Sequence, residues 1–165
     1  MARIDLDQPI LPSVLDRLLD ANPDERRDPT KSRGQYLAEL RYAVRRDLEA
    51  LLNTRERCRS WPAEQTELDD SLLAYGISDF TAASLGSDDQ REAFRREVEE
   101  VIRRSEPRFV SVEVSILDNA EPLDRTLRFR IEALMHADPA PEPVVFDSFL
   151  DPASRSVSVV SKSDG

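Results

Sequence analysis

The chain has 165 residues, of which 39% are hydrophobic and 34% are charged, and its formal net charge at pH 7 is −10. This length suits a single domain over residues 1–165 with one hydrophobic core. The acidic balance argues against a nucleic-acid partner, because phosphates attract net positive charge. The chain has one histidine, His136, and one cysteine, Cys58. They exclude an internal disulfide and argue against a zinc site, and the sequence predicts no metal and no cofactor.

The N-terminus lacks an apolar signal-peptide core, and no apolar run approaches the roughly 20 residues that span a bilayer. We therefore expect a cytoplasmic protein without direct membrane insertion. Charge is unevenly distributed: residues 31–59 hold eight basic and four acidic side chains, whereas residues 60–90 hold seven acids and no base. Such blocks can set the register in which two proteins dock.

Helices are predicted first along the chain. Residues 1–33 are interpreted as an extended lead-in with a short helix over 12–20, and residues 34–105 as the helical part. The longest helix is predicted over 35–57, because apolar side chains recur there at spacings of three and four. These side chains are Leu37, Leu40, Val44, Leu48 and Leu51.

An acidic loop over 60–70 is predicted to lead into a short helical turn and an ordered connector. We expect five side chains of this connector to anchor it in the core: Leu72, Leu73, Tyr75, Ile77 and Phe80. Ser87 followed by Gln90 is typical of a capping box and predicts a helix over 87–105. Its inner face carries Phe94, Val98, Val101 and Ile102, and its outer face carries Glu–Arg pairs four residues apart.

The hydrophobic period changes to two after residue 108, which predicts an antiparallel sheet over 108–161. Strands are predicted over 109–117, 127–135, 144–150 and 156–160, with the last at an edge and a polar tail over 162–165. In the first strand Val110, Val112, Val114 and Ile116 are expected on the buried face. Helices followed by strands predict an α+β fold, with the N-terminal helices packed on one face of a small antiparallel sheet of about four strands.

Glu106-Pro107-Arg108 lies where the charged helix gives way to the first strand. Proline has no N–H and clashes with the preceding turn, so the helix is predicted to end there. Two opposite charges at a stiff corner suit either an internal ion pair or a docking site for a partner. The residue types alone leave both interpretations open.

Catalysis has little support in the residues. The four glycines form no phosphate-binding loop, and no nucleophile motif accompanies His136. A glycosidase needs a pair of carboxyl groups about 5–10 Å apart, one of them with a raised pKa. Glu106 is the only acid that stands out, and Arg108 beside it favours the charged form. We therefore predict no catalytic residue and no enzyme.

Three stretches together resemble a known family. They are Leu51-Leu52-Asn53-Thr54-Arg55, Tyr75-Gly76-Ile77-Ser78-Asp79-Phe80 and Glu106-Pro107-Arg108. In this order, with a charged helix and a hairpin, they resemble TssE, the baseplate subunit of type VI secretion systems. That family is similar to the small wedge protein of contractile phage tails and was once described as lysozyme-like. The resemblance covers about residues 5–162.

The resemblance implies a structural protein that sits in a baseplate wedge and helps to start polymerisation of the contractile sheath. It implies wedge subunits and sheath proteins as partners, within a cytoplasmic, membrane-docked assembly. Glu106, Pro107 and Arg108 then form a partner-binding or structural motif. The exposed edges of the sheet, above all the serine-rich strand over 156–160, could also accept a strand from a partner. Two alternatives stay open: a peptidoglycan glycosidase, and a generic binding module that uses the basic helix.

Overall fold

A computed structural model describes residues 14–18, 31–56, 61–62, 64–69, 71–79, 87–118, 126–137, 140–151 and 153–162. It contains three α-helices, α1 (Val14–Leu18), α2 (Arg33–Asn53) and α3 (Asp88–Ser105). Two short 3-10 helices lie at Thr66–Leu68 and Leu72–Ala74. Four strands follow: β1 (Phe109–Leu117), β2 (Leu127–Met135), β3 (Glu142–Asp151) and β4 (Ser156–Ser161). Of the predicted lead-in over 1–33, residues 1–13 and 19–30 lie outside the described residues, and α1 lies within the short helix predicted over 12–20.

Helix α2 differs from its prediction at both ends. It begins at Arg33 because Ser32 is its N-cap and forms a capping box with Gln35, which the sequence analysis overlooked. It ends at Asn53 rather than at residue 57, because Thr54 is already extended and Arg55 then pairs with Ile77 in a β-bridge. Within the helix, the predicted apolar positions Leu40, Val44, Leu48 and Leu51 are buried.

The connector before α3 is held in the core by fewer side chains than predicted. Ile77 is 1% exposed, but Leu72 is 89% exposed and Leu73 is 37% exposed, so their assignment to the core was wrong. The reason is that residues 72–74 form a single 3-10 turn, which buries Ala74 instead. Phe80 lies outside the described residues.

Helix α3 follows its prediction closely. Ser87 and Gln90 form the capping box, and the predicted inner face is buried. Three of the expected ion pairs are present, Glu92–Arg96, Arg95–Glu99 and Glu99–Arg103. Arg104 does not pair with Glu100 as expected: Arg104 donates to the carbonyl of Ala74, at 2.6 Å, and Glu100 pairs with Arg103.

The strands form one antiparallel sheet in the order β1-β2-β3-β4. Both hairpin strands β1 and β2 have the predicted bounds, whereas β3 extends beyond 144–150 at both ends. A register shift between Phe109 and Ser111 marks a bulge in β1. Because of the shift Val110 leaves the buried face and is 48% exposed, so its predicted burial was wrong.

The core lies between the helices and one face of the sheet. Helix α2 packs on β4 and helix α3 on β1, so the two helices cover opposite sides of the same face. At the centre, the rings of Phe94 and Phe129 meet edge to face, with centroids 5.7 Å apart. The predicted α+β architecture is confirmed. In the part of the chain that is described, no helix is long and apolar enough to cross a membrane.

Strand β4 is an edge strand, as predicted, but its outer side is not free. Side chains of α2 bond the backbone of Val157 and Val159 on that side. The expectation that this edge is exposed for another strand was therefore wrong at both valines. The sequence pattern of a strand shows which faces are polar but not what lies beside its edge.

Candidate protein-interaction site

The corner between α3 and β1 is a tight turn built on the predicted proline. The backbone N–H of Glu106 donates the last helical bond, to Ile102, at 2.9 Å. The N–H of Phe109 then donates to the carbonyl of Glu106, at 3.2 Å, which closes a four-residue turn. Pro107 is the second residue of that turn, where its fixed φ is favourable. The helix ends as predicted, and the chain reverses without a flexible loop.

The two charged side chains of the corner pair with each other. Arg108 donates through Nε to Glu106 Oε1 at 2.6 Å, and through Nη2 to Oε2. The backbone N–H of Arg108 also donates to Glu106 Oε1, at 3.2 Å. Glu106 is only 5% exposed and the side chain of Arg108 is 21% exposed. The charges therefore face inward in a bidentate ion pair, and a role in contacting a partner stays a prediction.

The ion pair continues into a network that joins three elements. Nη2 of Arg108 donates to Asp47 Oδ2 on α2, at 2.7 Å, and Asp47 also accepts from Arg46 at 2.8 Å. Arg46 donates in turn to Asp16 on α1, at 3.1 Å, and Asp16 lies 4.0 Å from Arg108. We call Asp16, Arg46, Asp47, Glu106 and Arg108 the corner network. It ties the helix-to-strand turn to α2 and to the short α1.

The carboxylates of the corner network raise the pKa values of its two arginines. Burial of Arg108 lowers its pKa, but the hydrogen bonds and charges of Glu106 and Asp47 outweigh burial and leave the pKa raised. The hydrogen bond with Asp47 raises the pKa of Arg46. Tyr75 has a raised pKa, first because it is partly buried and then because Asp47 and Glu106 are negative. Tyr75 therefore lies in the field of the corner network, and its hydroxyl stays protonated.

Exposed leucines lie on two short elements that are bonded to α2 and α3. Leu15 and Leu18 on α1 are 55% and 75% exposed, although Asp16 between them is bonded to the network. Leu72, the most exposed large apolar side chain among the described residues, begins the 3-10 turn whose Ala74 carbonyl accepts from Arg104 at the end of α3. We call Leu15, Leu18 and Leu72 the flanking leucines. Exposed large apolar side chains mark a protein-binding surface when they form a contiguous patch, and the flanking leucines are the candidates for such a patch here.

The geometry gives Glu106 little opportunity for acid–base chemistry. Both of its carboxylate oxygens accept hydrogen bonds from Arg108, and the residue is nearly enclosed. A general acid must reach the substrate, whereas both oxygens of this carboxylate are occupied by the guanidinium of Arg108. Among the residues described, no group of three His, Cys, Asp or Glu side chains is placed to hold a metal ion.

The sequence pattern points to Glu106, Pro107 and Arg108 but not to Asp16, Arg46 and Asp47, which complete the network. Asp47 lies between the buried Val44 and Leu48, at the border of the apolar stripe of α2. A carboxylate at such a border requires a partner, and that is the signal that could have drawn attention to it. The partner itself, 61 residues away, is not visible in the pattern.

The other two stretches of the resemblance meet each other. Arg55 and Ile77 form a parallel β-bridge, in which Ile77 N–H donates to the Thr54 carbonyl at 3.0 Å. Gly76 has a φ of 114°, and a Cβ there would lie 2.6 Å from that same carbonyl oxygen. The glycine thus lets the connector approach the end of α2, which places Tyr75 beside the corner network.

Residues 38–140 match the family model of baseplate wedge protein gp25. The matched segment contains most of α2, the whole of α3, the turn at residues 106–109, β1 and β2, but not α1, β3 or β4. No curated protein matches the chain.

Proposed function

The chain belongs to the baseplate wedge protein gp25 family, the family of TssE-like proteins, and from this premise we propose that it serves a type VI secretion system. Membership gives it a structural role in the baseplate of a contractile tail system, together with other baseplate subunits. The finer proposal is that it helps to nucleate the contractile sheath and contacts sheath subunits. It would do so in the cytoplasm, within an assembly docked to the membrane.

The observation that carries this proposal is the closed corner network beside the flanking leucines. Both charges of the corner are paired within the chain, and we propose that Glu106 and Arg108 act by holding the surrounding elements in place rather than by bonding a partner directly. What the corner offers is rigidity, since it fixes α1, α2 and the start of β1 with respect to each other. We propose that it holds the flanking leucines in position for a wedge subunit.

Sheath assembly in cells tests the finer proposal. The gene would be deleted in its host, and sheath formation would be followed with a fluorescent sheath subunit. We expect sheaths to be lost in the deletion strain and restored by the wild-type chain. Sheaths that form at the wild-type frequency without this protein would contradict a nucleating role.

The docking surface is tested by Leu72→Ser against a matched control, Val160→Ser. Leu72 is 89% exposed on the 3-10 turn that Arg104 of α3 bonds, whereas Val160 is 52% exposed on the far face of the sheet. Truncating a residue that dominates an interface costs about 2 kcal/mol or more, which is roughly a 30-fold loss of affinity. We expect this loss for Leu72→Ser in pull-downs of co-expressed wedge subunits, and none for Val160→Ser. Equal binding by both variants would place the docking surface elsewhere.

The contribution of the corner to docking is tested with a variant that leaves no buried charge unpaired. Removing one partner of a buried ion pair costs up to about 3–5 kcal/mol, so Arg108→Ala alone confuses folding with binding. Glu106→Gln combined with Arg108→Met removes both charges and keeps most of the volume. We expect this variant to fold, by circular dichroism, and to bind wedge subunits more weakly because α1, which carries Leu15 and Leu18, is held less firmly. Binding at the wild-type level would show that the corner has no part in docking.

A further inference from the structure

Both edge strands of the sheet have side chains bonded to their outer backbone groups. In an antiparallel sheet every second residue of an edge strand points its N–H and C=O away from the neighbouring strand. Such groups form a template for another strand. The edges here are β1 and β4, and the residues concerned include Val114 on β1 and Val157 and Val159 on β4.

An arginine and a glutamate of α3 close the edge of β1. Arg95 Nη1 donates to the Val114 carbonyl at 3.3 Å, and Val114 N–H donates to Glu99 Oε2 at 3.3 Å. The two side chains, four residues apart on the helix, also pair with each other at 2.7 Å. One donor and one acceptor therefore face the two backbone groups that a neighbouring strand would bond.

The same arrangement recurs on β4 with α2. Arg45 Nη1 donates to the Val159 carbonyl at 3.2 Å, Val159 N–H donates to Glu49 Oε1 at 3.4 Å, and the pair is 3.0 Å apart. One turn further along α2, the side-chain amide of Asn53 bonds both backbone groups of Val157, at 2.7 and 2.9 Å. Two different helices thus use an arginine and a glutamate at the same spacing on opposite edges.

Helix stability does not require these contacts with the strands. An ion pair at this spacing contributes about 0.2–0.5 kcal/mol wherever it lies on a helix surface. Arg96 and Glu100 are one residue further along α3 than Arg95 and Glu99, and they are 72% and 68% exposed. In the described structure they pair only with other side chains of the helix. Only Arg95 and Glu99 also bond the strand.

The sequence of β4 indicates what an open edge would bind. It reads Ser-Val-Ser-Val-Val-Ser, with no charge, no proline and no glycine. Six-residue segments of high β-propensity and low charge are those that pair with copies of themselves. Natural sheets protect such edges with charged side chains or with covering elements.

We propose that Arg45–Glu49 and Arg95–Glu99 are edge guards, which prevent a second copy of this chain from pairing with β4 or β1. The guards satisfy the outer backbone groups with charged side chains that another copy would first have to displace. This inference concerns the free chain and does not depend on the proposed role in the wedge.

Sedimentation velocity over a range of concentrations tests the edge guards. The variants are Arg45→Ala with Glu49→Ala for β4 and Arg95→Ala with Glu99→Ala for β1. The control is Arg96→Ala with Glu100→Ala, which has the same spacing, helix and charge change as the β1 variant. We expect the sedimentation coefficient to rise with concentration for the guard variants only. Folded guard variants that sediment like the wild type at every concentration would overturn the proposal.

A second substitution separates strand pairing from general aggregation. Ser158→Lys places a charge on the exposed face of β4 without touching either guard. Added to the β4 variant, it should return sedimentation to that of the wild type, because an edge lysine opposes strand pairing. Association that persists with this lysine would show that β4 is not the surface involved.

A measurement on the wild-type chain keeps the proposal testable if the guard variants fail to fold. Hydrogen exchange of the Val114 and Val159 amides should be slower than that of Val112, which also points outward on β1 and has no side-chain acceptor among the described residues. Exchange at Val114 and Val159 as fast as at Val112 would mean that the guards do not hold the edges in solution.

Discussion

At the scale of single residues, the role of the two charges at the corner is decided by the side chains around them. Glu106 and Arg108 are two positions apart, so their pairing was one of two interpretations that the residue types allowed. The structure shows the internal pair, and it adds Asp47 as the second acceptor for Arg108. Arg108 therefore serves two carboxylates on different elements, which a lysine could not do with the same planar geometry.

Gly76 is the residue whose substitution we expect to be least tolerated by the fold. Gly76→Ala would put a methyl group 2.6 Å from the Thr54 carbonyl oxygen, at a φ of 114°. We expect a loss of about 1–3 kcal/mol in the free energy of unfolding, measured with urea, because both strain and steric overlap oppose alanine.

Gly34→Ala is the matched control. Gly34 lies in the first turn of α2, and a Cβ there meets nothing within 4 Å. Alanine should leave stability unchanged or raise it by about 0.4–1 kcal/mol. Equal effects of the two substitutions would mean that the bridge between Arg55 and Ile77 does not constrain the connector.

At the scale of secondary-structure elements, two carboxylates on the outer face of α3 have lowered pKa values, so their charges contribute to the stability of the fold. Hydrogen bonds from Arg95 and then from Arg96 hold the pKa of Glu92 at about 2, below its usual 4.5. Glu99 also has a lowered pKa: burial alone would raise it, but hydrogen bonds from Arg103 and from the Val114 amide outweigh burial. Both carboxylates therefore favour the folded state when they are charged.

Acid should weaken the chain through these two carboxylates. A lowered pKa in the folded state gives a contribution that is complete above the unfolded value, about 4.5, and is lost as pH falls towards 2. We expect the melting temperature to fall over that window and salt to reduce the effect, since Glu92 is exposed. Glu92→Gln should flatten the pH dependence, with Glu64→Gln on the exposed acidic loop as control. Identical pH profiles for both variants would contradict the assignment.

At the scale of the whole molecule, the helices have two functions beyond covering the core. Each helix packs on one outer strand and buries the apolar face of the sheet there. Polar side chains of the same helices also bond backbone groups at the outer edges of β4 and β1. The corner network adds a third constraint, because it joins α1, α2 and β1 through paired charges rather than through apolar packing.

Asp16 connects α1 to the rest of the molecule. Asp16→Asn would keep the size of the side chain but remove the charge that pairs with Arg46 and lies near Arg108. We expect hydrogen exchange over residues 14–18 to become faster while exchange over α2 and the sheet stays unchanged. Loss of protection throughout the chain would mean that α1 is part of the cooperative core, not an attached element.

The sequence alone determined the helices, the strands and the α+β class, because buried apolar side chains must recur with the period of the element that carries them. It also located the corner, since proline ends a helix for a local, covalent reason. The tertiary structure decided what those local rules do not contain: which acid 61 residues away pairs with Arg108, that Leu72 points into water, and that α2 and α3 close the sheet edges. These outcomes depend on which surfaces meet after folding, and periodicity carries no information about that.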